Sequence, residues 1–161
     1  MRIAIISDTH LRQDTTKLNA LLVRLKEVDL ILHAGDYTDD GVVEVLQNTG
    51  KFCGVWGNVD ASSIQSWLNE KTILTLGSYR LGLFHGHGKG KSTPERAYAA
   101  FAYDKVDIIV FGHSHQPSIS VKNKILMLNP GSPTNKRTQR WFSYIILDLL
   151  ESSIEAKLVF Y

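Results

Sequence analysis

The chain has 161 residues, 43% hydrophobic and 21% charged, with a formal net charge of +2. That is enough for one domain with a sizeable core and short for two; the balance excludes disorder, and the charge is too small to argue for a nucleic-acid or anionic-membrane surface. No apolar run approaches the roughly 18 residues of a membrane span, no leader-like segment opens the chain, and Cys53 has no internal disulfide partner, so a single cytoplasmic domain over residues 1–161 is expected.

Ile3, Ala4, Ile5 and Ile6 form an apolar run that reads as a strand buried on both faces. Asp8 and His10 follow it at once. Leu18, Leu21, Leu22 and Leu25 then recur at helical spacing and define one face of an amphipathic helix. Residues 29–32 read as a second strand, ending in His33-Ala-Gly-Asp36. A second helix follows, with Asp39 and Asp40 at its positive end and Val42, Val45 and Leu46 turned inward. Residues 51–56 make a third strand, ending in Gly57-Asn-Val-Asp60. This βαβαβ pattern predicts parallel strands joined by right-handed crossovers.

The second half changes character. Residues 71–76 and 79–84 are strand-like and separated by Gly77-Ser78, a hairpin signal. The second of these ends in His85-Gly-His-Gly88. A helix is expected to start near Thr93-Pro-Glu-Arg96, with Thr93 as its cap and proline at the first helical position. Residues 106–111 form another buried strand, ending in Gly112-His-Ser-His115. Strands at 118–121 and 124–128 flank an Asn-Lys turn, and strands at 141–147 and 154–160 close the chain. The fold class is α/β, with two sheets packed together and helices outside.

In open α/β sheets, ligands bind beyond the carboxyl ends of the strands. Five strands here run at once into polar turns: Asp8-x-His10, Gly35-Asp36, Gly57-Asn58-x-Asp60, His85-x-His87 and His113-x-His115. Mixed carboxylate, amide and imidazole donors suit Mn, Fe, Zn or Ni better than Ca or Mg. The set exceeds what one ion accepts, so two ions sharing a carboxylate is the economical reading, and such pairs are the usual device for in-line displacement at phosphorus. Taken singly, each position reads as well as a turn residue or helix cap; the recurrence favours a shared site. His33, inside a strand, is expected to be structural, and Trp56 and Trp141 to lie in the core. Lys136, Arg137 and Arg140 read as a solvated basic face.

In this order the five turns resemble the motif set of the calcineurin-like metallophosphoesterases, over essentially the whole chain. The short length and Asn129-Pro-Gly-Ser132 resemble that family's small prokaryotic phosphodiesterase branch, the YfcE-like group. The resemblance implies a four-layer α/β/β/α sandwich of two mixed sheets. It implies that Asp8, His10 and His115 hold one divalent ion and Asn58, His85 and His113 a second, with Asp36 bridging them. Manganese is the first expectation, with iron, zinc, nickel or cobalt as alternatives. A hydroxide shared by the ions would then attack phosphorus in a phosphodiester.

Val59 stands where many members carry a histidine thought to assist the leaving group, so the general acid is unassigned. His87 is the nearest candidate, and Asp60 is expected to orient a ligand from behind. The loop at Asn129–Ser132 is expected to approach the site. The expected partner is a phosphodiester of unknown identity; a homodimer fits this branch, and neither a membrane nor a stable nucleic-acid complex is expected.

Three other readings stay open. A metal-dependent phosphomonoesterase, acting on proteins or nucleotides, would use the same ligands. One branch of the fold serves as a scaffold in a membrane-coat complex with some ligands altered, whereas none is altered here. Gly86-His-Gly-Lys-Gly-Lys-Ser92 ends like a phosphate-binding P-loop, but the glycine that motif needs five positions before Gly90 is His85.

Overall fold

The computed structural model describes all 161 residues. The first half contains β1 (Arg2–Ile6), α1 (Thr16–Arg24), β2 (Leu30–His33), α2 (Asp40–Gln47), β3 (Phe52–Gly54) and α3 (Ser62–Trp67). The second contains β4 (Lys71–Leu76), β5 (Tyr79–Phe84), α4 (Thr93–Ala100), β6 (Ile108–Val110), β7 (Ser118–Lys122), β8 (Ile125–Asn129), β9 (Ser143–Leu149) and β10 (Ile154–Phe160).

Two five-stranded mixed sheets result, of order β10-β9-β1-β2-β3 and β4-β5-β6-β8-β7. In the first, β1, β2 and β3 are parallel and β9 runs against β1. In the second, β5, β6 and β8 are parallel and β4 and β7 are antiparallel edges. The side-chain alternation of a strand decides the layers. Ile3 and Ile5 face the other sheet with Leu32, Leu83, Val110 and Leu128, while Ala4 and Ile6 face the helices. Leu18, Leu21 and Leu25 of α1 and its C-terminal turn, with Val42, Val43 and Leu46 of α2, cover that outer face. On the opposite outside, Ala97 and Phe101 pack against Ile109 and Met127. The order is therefore α/β/β/α. Truncating a buried leucine such as Leu21 to alanine costs about 2–5 kcal/mol.

Four local expectations are corrected. Helix α3 has no signal among the predicted elements: it is six residues long and buries only Ile64, too short for periodicity to show. Val43, rather than Val45, joins the fully buried face of α2. The cap of α4 is Ser92, whose side chain and backbone form a capping box with Glu95; Thr93 is already helical. Trp141 is 51% exposed beneath the Arg140 guanidinium, not in the core, and Trp56 is only half-buried.

Candidate metal centre

The carboxyl ends of β1, β2, β5, β6 and β8 and the turn after β3 meet at one edge of the sandwich. The turns are stitched by their own backbones: Asp8 N–H donates to Gly35 O at 2.9 Å and His10 N–H to Asp36 O at 3.1 Å. Asp8, His10, Asp36, His113 and His115 all adopt left-handed backbone, with φ between 44° and 65°. For residues with side chains this is strained, and such residues gather at functional sites held by their surroundings. Close approach is enforced as well. A Cβ on Gly57 would collide with the Asp36 carboxylate, and one on Gly112 with Ser7 and Asp8.

Seven side chains predicted as ligands come together. On one side, His115 Nε2 lies 3.2 Å from Asp8 Oδ1 and 3.2 Å from His10 Nε2, and His10 Nε2 lies 3.5 Å from Asp36 Oδ2. On the other, His85 Nε2 lies 3.2 Å from Asp36 Oδ1 and 3.3 Å from His113 Nδ1, which is 2.9 Å from Asn58 Oδ1. Asp36 thus divides its two oxygens between two groups of donors. Asp8, Asp36, His85 and His115 are buried, whereas Asn58 and Val59 are exposed, so the site opens on the Asn58 side.

The hydrogen-bond chemistry tests whether these groups fit a cation. A carbonyl only accepts, so His85 Nδ1, 2.6 Å from Ala34 O, and His115 Nδ1, 2.5 Å from Asn135 O, carry the ring protons. In the neutral rings both Nε2 atoms then present lone pairs to carboxylate oxygens. Acceptors facing at 3.2 Å need a proton or a metal cation between them. Asp8 Oδ1 makes the same point: it is buried and has no hydrogen-bond partner. The set fits divalent transition metals, with second partners orienting the His85 and His115 imidazoles.

Protons and metal cations compete for the same place between these acceptors. Burial would raise the Asp8 carboxyl, but contacts with His10 and His115 and the charge of His85 outweigh it and hold it far below the usual range. Burial opposes charge on His85 too, yet its bond to Asp36 and the nearby Asp8 push its pKa up. Burial, then the charge of His85, lowers His113 to about 4, which keeps its ring neutral near pH 7.

Asp60 does not cap α3, whose N-cap is Ala61. Its carboxylate accepts four backbone N–H groups: Tyr37 and Thr38 on Oδ1 at 2.7 and 2.9 Å, Asp36 and Gly57 on Oδ2 at 3.0 and 2.7 Å. With its acceptors filled it is a positioning residue, clamping the Asp36 turn to the Gly57 turn. His33 is structural as expected, fully buried between Thr9 and Gly35. The 129–135 loop does approach the site. Ser132 Oγ donates to Asp8 O at 2.8 Å and Thr134 Oγ1 to Thr9 O at 2.5 Å, while Asn135 orients His115.

His87 adjoins the ligands without joining them, its ring centroid 5.8 Å from that of His85. Its Nε2 lies 3.3 Å from Glu70 Oε1, its ring stacks on Trp56, and its Nδ1 is buried without a partner. Glu70 was not singled out in the sequence; an isolated acid at a strand edge carries no pattern. The P-loop reading fails on structure as well as on spacing. Ser92 N–H and Oγ both donate to Glu95, at 3.0 and 2.6 Å, so the helix start is filled by the chain's own carboxylate.

Comparisons with known proteins bear on the family and the fold. A family model for the calcineurin-like phosphoesterase superfamily domain matches residues 1–152. A probable metallophosphoesterase of Methanocaldococcus jannaschii is 35% identical over 99% of this chain and 81% of its own length. A phosphodiesterase of the same organism is 26% identical over 81% of this chain and 83% of its own. Among solved structures, Vps29 of Chaetomium thermophilum superposes with a TM-score of 0.79 over 100% of this chain and 98% of that one, at 19% identity, a likeness of fold. With the sandwich, the converging turns and the family match in agreement, the chain belongs to the calcineurin-like phosphoesterase superfamily.

Proposed function

We propose that this phosphoesterase is a divalent-metal-dependent phosphodiesterase with two ion sites that share Asp36. Asp8, His10, His115 and Asp36 Oδ2 would hold one ion; Asp36 Oδ1, His85, His113 and Asn58 would hold the other. Bound there, two such cations supply Lewis acidity, acidifying water and offsetting charge on the phosphoryl oxygens. The chain's own work is to hold the donors. Ala34 and Asn135 fix two imidazoles in the tautomer that offers Nε2, and Asp60 fixes the turn that carries Asp36. The observation that carries the reading is the division of the Asp36 carboxylate between two imidazole groups.

A diester is favoured over a monoester by charge. The guanidinium of Arg96, whose charge reaches His113, is tied to the Gly86 and Lys91 carbonyls and the Thr93 hydroxyl rather than to any of the seven donors, so the additional negative charge of a monoester dianion would meet no dedicated cation. One relative's description as a phosphodiesterase points the same way. Val59 offers no proton to a leaving group, which favours esters whose leaving groups need none. The test is hydrolysis of bis(p-nitrophenyl) phosphate beside p-nitrophenyl phosphate with added Mn²⁺. The expected result is preferential diester turnover. Preference for the monoester would move the reading to a phosphatase, and turnover of neither would leave a non-catalytic member of the family.

A further inference from the structure

The largest concavity lies beside the donor cluster rather than on it. It is a groove of about 810 Å³ that includes Ser114 and runs past the start of α4 to β7 and the end of β10. Ser114 stands between His113 and His115 in the chain, so the groove opens from the same turn that carries two of the donors. No acidic or basic side chain lines it. Its wall instead offers the hydroxyls and amides of Ser114, Gln116, Ser118, Ser120 and Gln139, with the ring of Phe160, which is 51% exposed.

Ser114 is poised in one sense. Its Oγ faces Asn129 Nδ2 at 3.1 Å and the Gln116 N–H at 3.3 Å, both donors, so its own hydroxyl proton is the group left to offer. An uncharged wall gives nothing to a second phosphate. Hydroxyls and amides that both donate and accept suit sugar hydroxyls, and an exposed aromatic ring suits a stacked base. The volume lies within the range of small-molecule sites.

We propose that this groove seats one ester arm of the substrate and that the arm is a nucleoside, with its sugar against Ser114 and Gln116 and its base on Phe160. The proposal rests on the phosphodiesterase reading above. The test compares thymidine 5′-(p-nitrophenyl phosphate) with methyl p-nitrophenyl phosphate, two diesters with the same leaving group and different arms. The expected KM for the thymidine ester is lower by roughly tenfold, the scale of one base–aromatic stack. Phe160→Ala and, separately, Gln116→Ala should draw the ratio of the two KM values toward one. A wild-type ratio near one, or a ratio that survives both substitutions, overturns the assignment. If neither ester is hydrolysed, it is the phosphodiesterase reading that fails. The groove is then decided by calorimetric titration with thymidine 5′-(methyl phosphate): saturable binding lost in Phe160→Ala supports it, and no binding overturns it.

Discussion

Two fully buried histidines stand on either side of the Asp36 turn, and they differ in one respect. Around His33 the protein closes on itself. Gly35 N–H donates to Nδ1 at 3.1 Å, so Nε2 carries the proton and donates to Thr9 Oγ1 at 3.2 Å, and the ring stacks on Tyr37. Burial lowers its pKa to about 3. Around His85 only Nδ1 is satisfied by backbone, and Nε2 is left facing the Asp36 carboxylate, which pushes the pKa up. Equal burial therefore says nothing about role; the second nitrogen decides it. A ring with both nitrogens satisfied is structure, and a ring with one lone pair aimed at other lone pairs is a ligand.

The largest effect is expected where both groups of donors meet. Asp36→Asn keeps the shape but removes the shared charge, and diesterase activity should fall by at least ~10³-fold, measured with a p-nitrophenyl diester under saturating Mn²⁺. Asp60→Ala should come next. It leaves four backbone N–H groups short of their acceptor, with an expected loss of about 1–3 kcal/mol by chemical denaturation and of roughly 10–100-fold in metal affinity.

On the closed side, His33→Gln should leave metal stoichiometry intact, and its signature is in pH. The folded pKa of about 3 lies below the ordinary 6.5, so between these values the unfolded chain binds the extra proton. Stability is therefore whole above pH 6.5 and is lost as pH falls toward 3. The variant should lose less stability than the wild type over that window, measured as denaturation midpoint against pH. The smallest effect is expected at His87→Ala, less than about tenfold in kcat, because Nε2 is engaged by Glu70. A fall of roughly 100-fold or more would instead make His87 the general acid.

Much of this contrast was legible in the sequence. The apolar runs ending in Asp8, Asp36, Asn58, His85 and His113 place donors at strand ends, and parallel topology then brings those ends together. His33 was separable from the ligands because it precedes its turn. What the sequence hid was how the turns are clamped. Four N–H groups drawn from two turns converge on Asp60, and Ser132 and Thr134 reach carbonyls more than a hundred residues away, at Asp8 and Thr9. These bonds depend on through-space approach, which no spacing records. Trp141 misled because size suggests burial, whereas its ring lies at the surface under Arg140.

The central claim is that Asp36 serves two ion sites at once, and counting ions tests it most directly. Calorimetric titration of the metal-free protein with Mn²⁺ should give two ions per chain, with both binding steps weakened in Asp36→Asn. One ion per chain in the wild type, or a variant that loses one step and keeps the other unchanged, would contradict it.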